Sequence, residues 1–288
     1  MAIKPSESHH DSHIMGEGCT DGQIARRWYI CTRIDYMGID ESRQFALGVD
    51  VSLSDDSRLN RDLCLVVHSA VEEFSIPFSM LPPAGVRRVS ILYRTQCPLT
   101  DSTSDTTRYR VYLSVKNRYY AQLVYQLGHE LCHIFADPRR TNWFVESCCE
   151  MAALTLLRRM SRLWSNNPPY VRWRKYAPKF QHYAQNGIQE AKEAEEPSDR
   201  QKNTIVAEML CPLFEESAES WDALCFLGQG FASPPVDLTD WNPGSVDFSF
   251  DRWLQAAPKY FKDIIIRIGK TLKDSWPDFD FCHTVMPF

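Results

Sequence analysis

The sequence predicts an α+β protein: a small N-terminal mixed sheet with a packed helix, followed by a mostly helical C-terminal part. Three observations carry this. Phe45, Leu47, Val49, Val51 and Leu53 alternate strictly, as a half-buried strand does. Leu59, Leu63, Val66, Val67, Ala70 and Phe74 then recur at helical spacing. After Asn117 the apolar pattern keeps a helical period almost to the end of the chain.

Taken in order, residues 1–25 are polar and read as a disordered tail. Arg27–Ile34 is a first strand and the alternating segment near residue 49 a second. The helix around Val66 carries His68, which reads as a structural histidine. Pro77, Pro82 and Pro83 break the chain before two short alternating strands, one on Val89, Ile91 and Tyr93, the other over Tyr109–Val115. Thr100–Thr107 between them, rich in Ser, Thr and Asp, reads as a loop. Helices follow at Tyr119–Ala136, Trp143–Trp164 and Pro178–Glu195. Glu190–Arg200 is charged and reads as a frayed end or linker. Asn203 or Thr204 caps the next helix, which Pro212 interrupts. Ser217–Leu227 stops at Gly228, Gly230–Gly244 is a loop, and helices at Phe250–Ala256 and Pro258–Asp274 close the fold. The expected division is a tail (1–25), a core (26–195) and a helical C-terminal subdomain (196–288).

Composition narrows the function classes. With 44% hydrophobic and 24% charged residues, the chain is an ordinary globular one. A net charge of −5 argues against a general nucleic-acid binder, which needs a basic surface. Arg158–Gln189 holds seven basic side chains and no acidic one, and reads as a solvated face partly neutralised by Glu190–Asp199. No apolar run approaches the ~18 residues of a membrane span. Met1–Gly22 has no apolar signal core, and no Asn-x-Ser/Thr sequon occurs. A reducing, cytoplasmic setting is therefore expected, with the ten cysteines as thiols.

One motif outranks the rest: His129-Glu130-Leu131-Cys132-His133, an H-E-x-x-H. Histidines at i and i+4 present their imidazoles one above the other, at the spacing a tetrahedral zinc needs. The glutamate between them is placed beside the metal rather than on it, where it serves as a general base. Leu123, Val124, Leu127, Leu131 and Ile134 form one stripe of this helix, and His129 and His133 lie on nearly the opposite face. A third ligand is needed. The next helix opens with Glu146 and Glu150, again i and i+4, inside an apolar run. Cys132 and Cys149 lie about 60° around their helices from His129 and Glu146; they read first as small packing thiols, with zinc ligation as the alternative.

An H-E-x-x-H followed by Trp143-x-x-Glu146-x-x-x-Glu150 resembles the gluzincin branch of zinc metallopeptidases, a zincin-like fold, over residues 109–160. The resemblance implies Zn2+ held by His129, His133 and Glu146, with Glu130 activating water and Glu150 orienting a zinc-bound histidine. Only twelve residues separate His133 from Glu146, which leaves Glu150 open as the ligand instead. It further implies that Tyr109–Val115 is an edge strand pairing with the substrate backbone. Tyr170, Tyr176, His182 and Tyr183 are candidates for stabilising the oxyanion, Tyr170 standing on a rigid turn after Pro168-Pro169. The expected activity is hydrolysis of peptide bonds in a peptide or protein substrate. The alternatives are a zincin-like zinc-binding module without activity and a helical interaction protein with a coincidental motif.

Overall fold

The computed structural model describes residues 47–83, 85, 87–102, 107–115, 117–232 and 248–275. The expected tail and the strand at Arg27–Ile34 lie outside them, as does most of the Gly230–Gly244 loop.

The described chain is mixed α+β. Strand β1 (Gly48–Ser52) leads through α1 (Ser57–Ser75) to β2 (Arg88–Tyr93), and β1 and β2 pair in parallel. Parallel neighbours need a long crossover, and α1 supplies it. Asp56 caps α1, accepting from the backbone N–H groups of Arg58 and Leu59. β3 (Leu99–Asp101) and β4 (Tyr109–Leu113) complete a sheet of order β1-β2-β4-β3, with β4 parallel to β2 and antiparallel to β3. Two expectations are corrected here. Thr100 and Asp101 belong to a strand rather than a loop, and the edge strand beside β4 is β3. Tyr109–Leu113 is an inner strand, with Val111 and Leu113 fully buried.

Two long helices follow, α2 (Tyr120–Ala136) and α3 (Trp143–Asn166). Thirteen of the seventeen residues of α2 are buried, so the expected one-sided stripe is in fact a helix enclosed nearly all round. Pro138 and Asp137, the latter at φ 76°, turn the chain between them. Arg139 and Arg140 both pair with the Asp137 carboxylate, and the Arg140 guanidinium also donates to the Gly228 carbonyl at 2.5 Å. Asn142 caps α3 through the Val145 N–H. Gly128 lets α2 and α3 approach closely: a Cβ there would stand 3.1 Å from the Ala153 Cα.

Beyond α3, a 3-10 turn at Val171–Tyr176 leads into α4 (Ala177–Glu193). Trp173 stacks on Trp164 and tilts against Tyr120, tying this turn to α3 and α2. α5 (Asp199–Glu216) packs on α3 and α4. Its cap is Ser198, in a reciprocal capping box with Gln201, and not Asn203 or Thr204; Pro212 lies inside it without ending it. α6 (Ala218–Leu224), α7 (Phe250–Ala256) and α8 (Lys262–Ser275) finish the described chain. Phe78, Phe135 and Trp221 join the segment after α1 to α2 and α6, and the buried Asp222 accepts from the backbone N–H groups of Ser79 and Met80. Phe144 packs against Phe250 and Trp253, so α3 and α7 share one core. Each such side chain, fully buried, contributes roughly 1.5–3 kcal/mol. No described helix is long and apolar enough to cross a membrane.

Candidate metal centre

The tight α2–α3 hairpin brings the predicted carboxylates onto the predicted histidines. His129 Nε2 lies 3.1 Å from Glu146 Oε2, and His133 Nε2 lies 3.6 Å from Glu146 Oε1. Ligands of a tetrahedral zinc with bonds near 2.0–2.1 Å stand about 3.3 Å apart. Each Glu146 oxygen thus faces one imidazole, and the mutually close donor set that could hold such an ion is His129, His133 and Cys149. Helix α3 favours Glu146 here, because it stands in the first turn where the backbone N–H groups point. Thr141, just outside the helix, donates to Glu146 Oε1 at 2.5 Å and fixes the carboxylate.

Glu150 takes a different place. Its Oε2 lies 3.8 Å from His129 Nδ1, the nitrogen turned away from Glu146. Tyr125 and Thr204 both donate to this carboxylate, which is almost entirely buried. Burial, reinforced by the Glu150 charge and opposed by Arg200, pushes the Tyr125 phenol well up, so it remains a donor. At 3.8 Å the carboxylate is a charged neighbour of the far nitrogen rather than a hydrogen-bond partner.

Burial resists charge on His129, but its interactions with Glu146 and Glu150 outweigh it and hold the imidazole well above its usual range. Burial also opposes charge on Glu146; His133 and His129 nonetheless bring its carboxyl down to about 2. Without a metal, the cluster is thus a charged imidazolium–carboxylate pair.

Glu130 points to the sheet side of α2. The Thr100 hydroxyl of edge strand β3 lies 2.8 Å from Glu130 Oε2 and 2.9 Å from its carbonyl oxygen, and shares its one proton between them. Cys149 is the residue that the ligand expectation underrated. Its Sγ and one ring nitrogen each of His129 and His133 all lie within 4.8 Å of one another. Burial pushes the Cys148 and Cys149 thiols well up, with Cys132 against Cys149 adding to the effect.

His129, His133, Glu146 and Glu150 are therefore brought together; Glu130, on the same helix, is turned to Thr100, and Tyr170 lies apart. Tyr170 follows the C-terminus of α3, while Glu146 sits near its start, about 30 Å away along the helix axis at 1.5 Å per residue. Its ring packs edge-on against Trp173 and under Arg172. Sequence reasoning also missed Tyr125, which precedes His129 by one helical turn, and Thr100, whose strand has no periodic signal. In the basic stretch, Arg158 and Arg159 pair with Glu215 and Glu73, and Lys179 stands over the Tyr176 ring. No family model, curated protein or solved structure matches the chain.

Proposed function

We propose that this chain is a zinc-dependent hydrolase, acting as a peptidase, with His129, His133 and Glu146 as metal ligands and Glu130 as general base. The convergence of both Nε2 atoms on the Glu146 carboxylate, with Glu130 on the same helix, carries the reading. When bound, zinc polarises a scissile carbonyl and lowers the pKa of a water toward ~7. Glu130 takes the proton of the attacking water and delivers it to the leaving amine. Thr100 aims that carboxylate, and the Glu150 charge lies on the Nδ1 side of His129, opposite Nε2. A peptide substrate is favoured over a small molecule by β3. β3 is an edge strand of the sheet, the position at which an extended peptide backbone adds a strand.

The test is Glu130→Gln, assayed by mass spectrometry on a mixture of unstructured peptides with zinc content measured in parallel. Cleavage should fall by roughly 10²–10⁴-fold with zinc retained. Normal cleavage by this variant would sink the mechanism. Cys149 favours a second reading, a zinc-binding module without turnover. Stoichiometric zinc in a wild-type protein that cleaves no peptide would select it.

A further inference from the structure

We propose that Cys149 is a fourth protein ligand of the same metal, so that the resting site is closed by two imidazoles, one carboxylate and one thiolate. The inference rests on the zinc reading above and deepens it. Two helices each supply two donors: His129 and His133 at i and i+4 on α2, Glu146 and Cys149 at i and i+3 on α3. Three of these, the two histidines and Cys149, have donor atoms within 4.8 Å of one another; the Glu146 oxygens face one imidazole each, at 3.1 and 3.6 Å, and one of them would turn inward to join the set. A zinc–sulfur bond of about 2.3 Å places sulfur somewhat under 4 Å from the other donors. A separation within 4.8 Å leaves Sγ at most about an ångström to close.

Geometry separates Cys149 from its neighbours. Cys132, Cys148 and Cys225 are buried around the same helix pair, yet none of them joins the histidines in the convergent donor set. Cys149 is fully buried. A thiolate also selects for zinc over magnesium, calcium or manganese, which prefer oxygen.

Coordination breaks the S–H bond and releases its proton to solvent, leaving a thiolate on the metal. Four protein donors fill a tetrahedral site, the pattern of structural rather than catalytic zinc. Hydrolysis then requires Sγ to leave, recover a proton and admit water in its place. The protein rests shut and opens only when the α3 side of the site yields.

X-ray absorption on the zinc-loaded full-length protein reads this directly, because sulfur scatters at about 2.3 Å and nitrogen or oxygen near 2.0–2.1 Å. One sulfur per zinc is expected in the wild type, lost in Cys149→Ser and kept in Cys132→Ser, Cys148→Ser and Cys225→Ser. Cobalt substitution should show a thiolate charge-transfer band in the near ultraviolet with the same pattern of loss. If Cys149→Ser does not fold, the wild-type spectrum still decides whether sulfur binds. The three other variants then identify Cys149 by retaining it. Stoichiometric zinc with nitrogen and oxygen alone would overturn the proposal and leave the zinc reading standing. Loss of the sulfur in Cys132→Ser, Cys148→Ser or Cys225→Ser would also overturn it. Absence of stoichiometric metal would overturn both.

Discussion

The Thr100 hydroxyl donates to the carboxylate that the proposed chemistry uses as a base, trading some basicity for aim. A hydrogen bond to a charged group is worth about 1.5–3 kcal/mol, so Thr100→Val should lower kcat by about 10- to 100-fold. KM and zinc stoichiometry should hold, and Thr100→Ser, which keeps the hydroxyl, should restore the rate. Equal kcat in the Val and Ser variants would leave Thr100 a packing residue. The charged pair behind the site makes a second prediction. The raised His129 contributes stability that is complete below its ordinary value of 6.5 and lost as pH climbs through the folded value. The depressed Glu146 contributes stability present above 4.5 and lost as pH falls toward 2. Metal-free protein should therefore resist urea best between pH 4.5 and 6.5 and weaken on either side. Zinc must displace the imidazolium proton, so at pH 7 binding should release about one proton or more. Calorimetry in buffers of different ionisation enthalpy measures this, and buffer-independent heats would contradict it.

At the scale of elements, the hinge of the arrangement is the contact between α2 and α3 at Gly128. A methyl there meets the Ala153 Cα at 3.1 Å and the Leu156 Cδ2 at 3.0 Å. The Leu156 side chain can yield, but the Ala153 backbone cannot without parting the helices. Gly128→Val should destabilise the fold by about 1–3 kcal/mol by overpacking. It should also weaken zinc binding, since the ligands sit on opposite sides of the seam; urea titration and a competing chelator measure the two effects. Undiminished zinc affinity would show that the seam does not set the ligand geometry. This hairpin was largely legible in the sequence, because two strong 3.6-residue periods were punctuated by Pro138 and the Asn142 cap. Glu146 and Glu150 were legible as a pair. Which of them faces Nε2 was not, since that depends on how one helix is rotated against the other. β3 escaped because Leu99-Thr100-Asp101 offers a single apolar residue and no alternation to read. The α5 cap at Ser198 was written in the sequence as Ser-x-x-Gln, but charges on both sides hid it. Tyr170 is apart from the site because the twenty-four residues of α3 carry the chain away from it, a separation no local pattern encodes.

At the scale of the whole molecule, α2 is threaded between the sheet, α1, α3 and α4, and its neighbours are themselves tied together. Arg159 reaches Glu73 across α3 and α1 at 2.7 Å, and Thr204 of α5 donates to Glu150 of α3 at 3.1 Å. Segments enclosed in this way open last, with free energies near that of global unfolding. The backbone amides of Leu127–Phe135 should accordingly be among the slowest in the protein to exchange with deuterium, and rapid exchange there would contradict the enclosure. On the zinc reading proposed above, this backbone would hold His129 and His133 in place while their side chains stay 20% and 13% exposed. Metal should then leave by direct ligand exchange, without the steep temperature dependence of unfolding. A slow scaffold would carry a fast-exchanging ion.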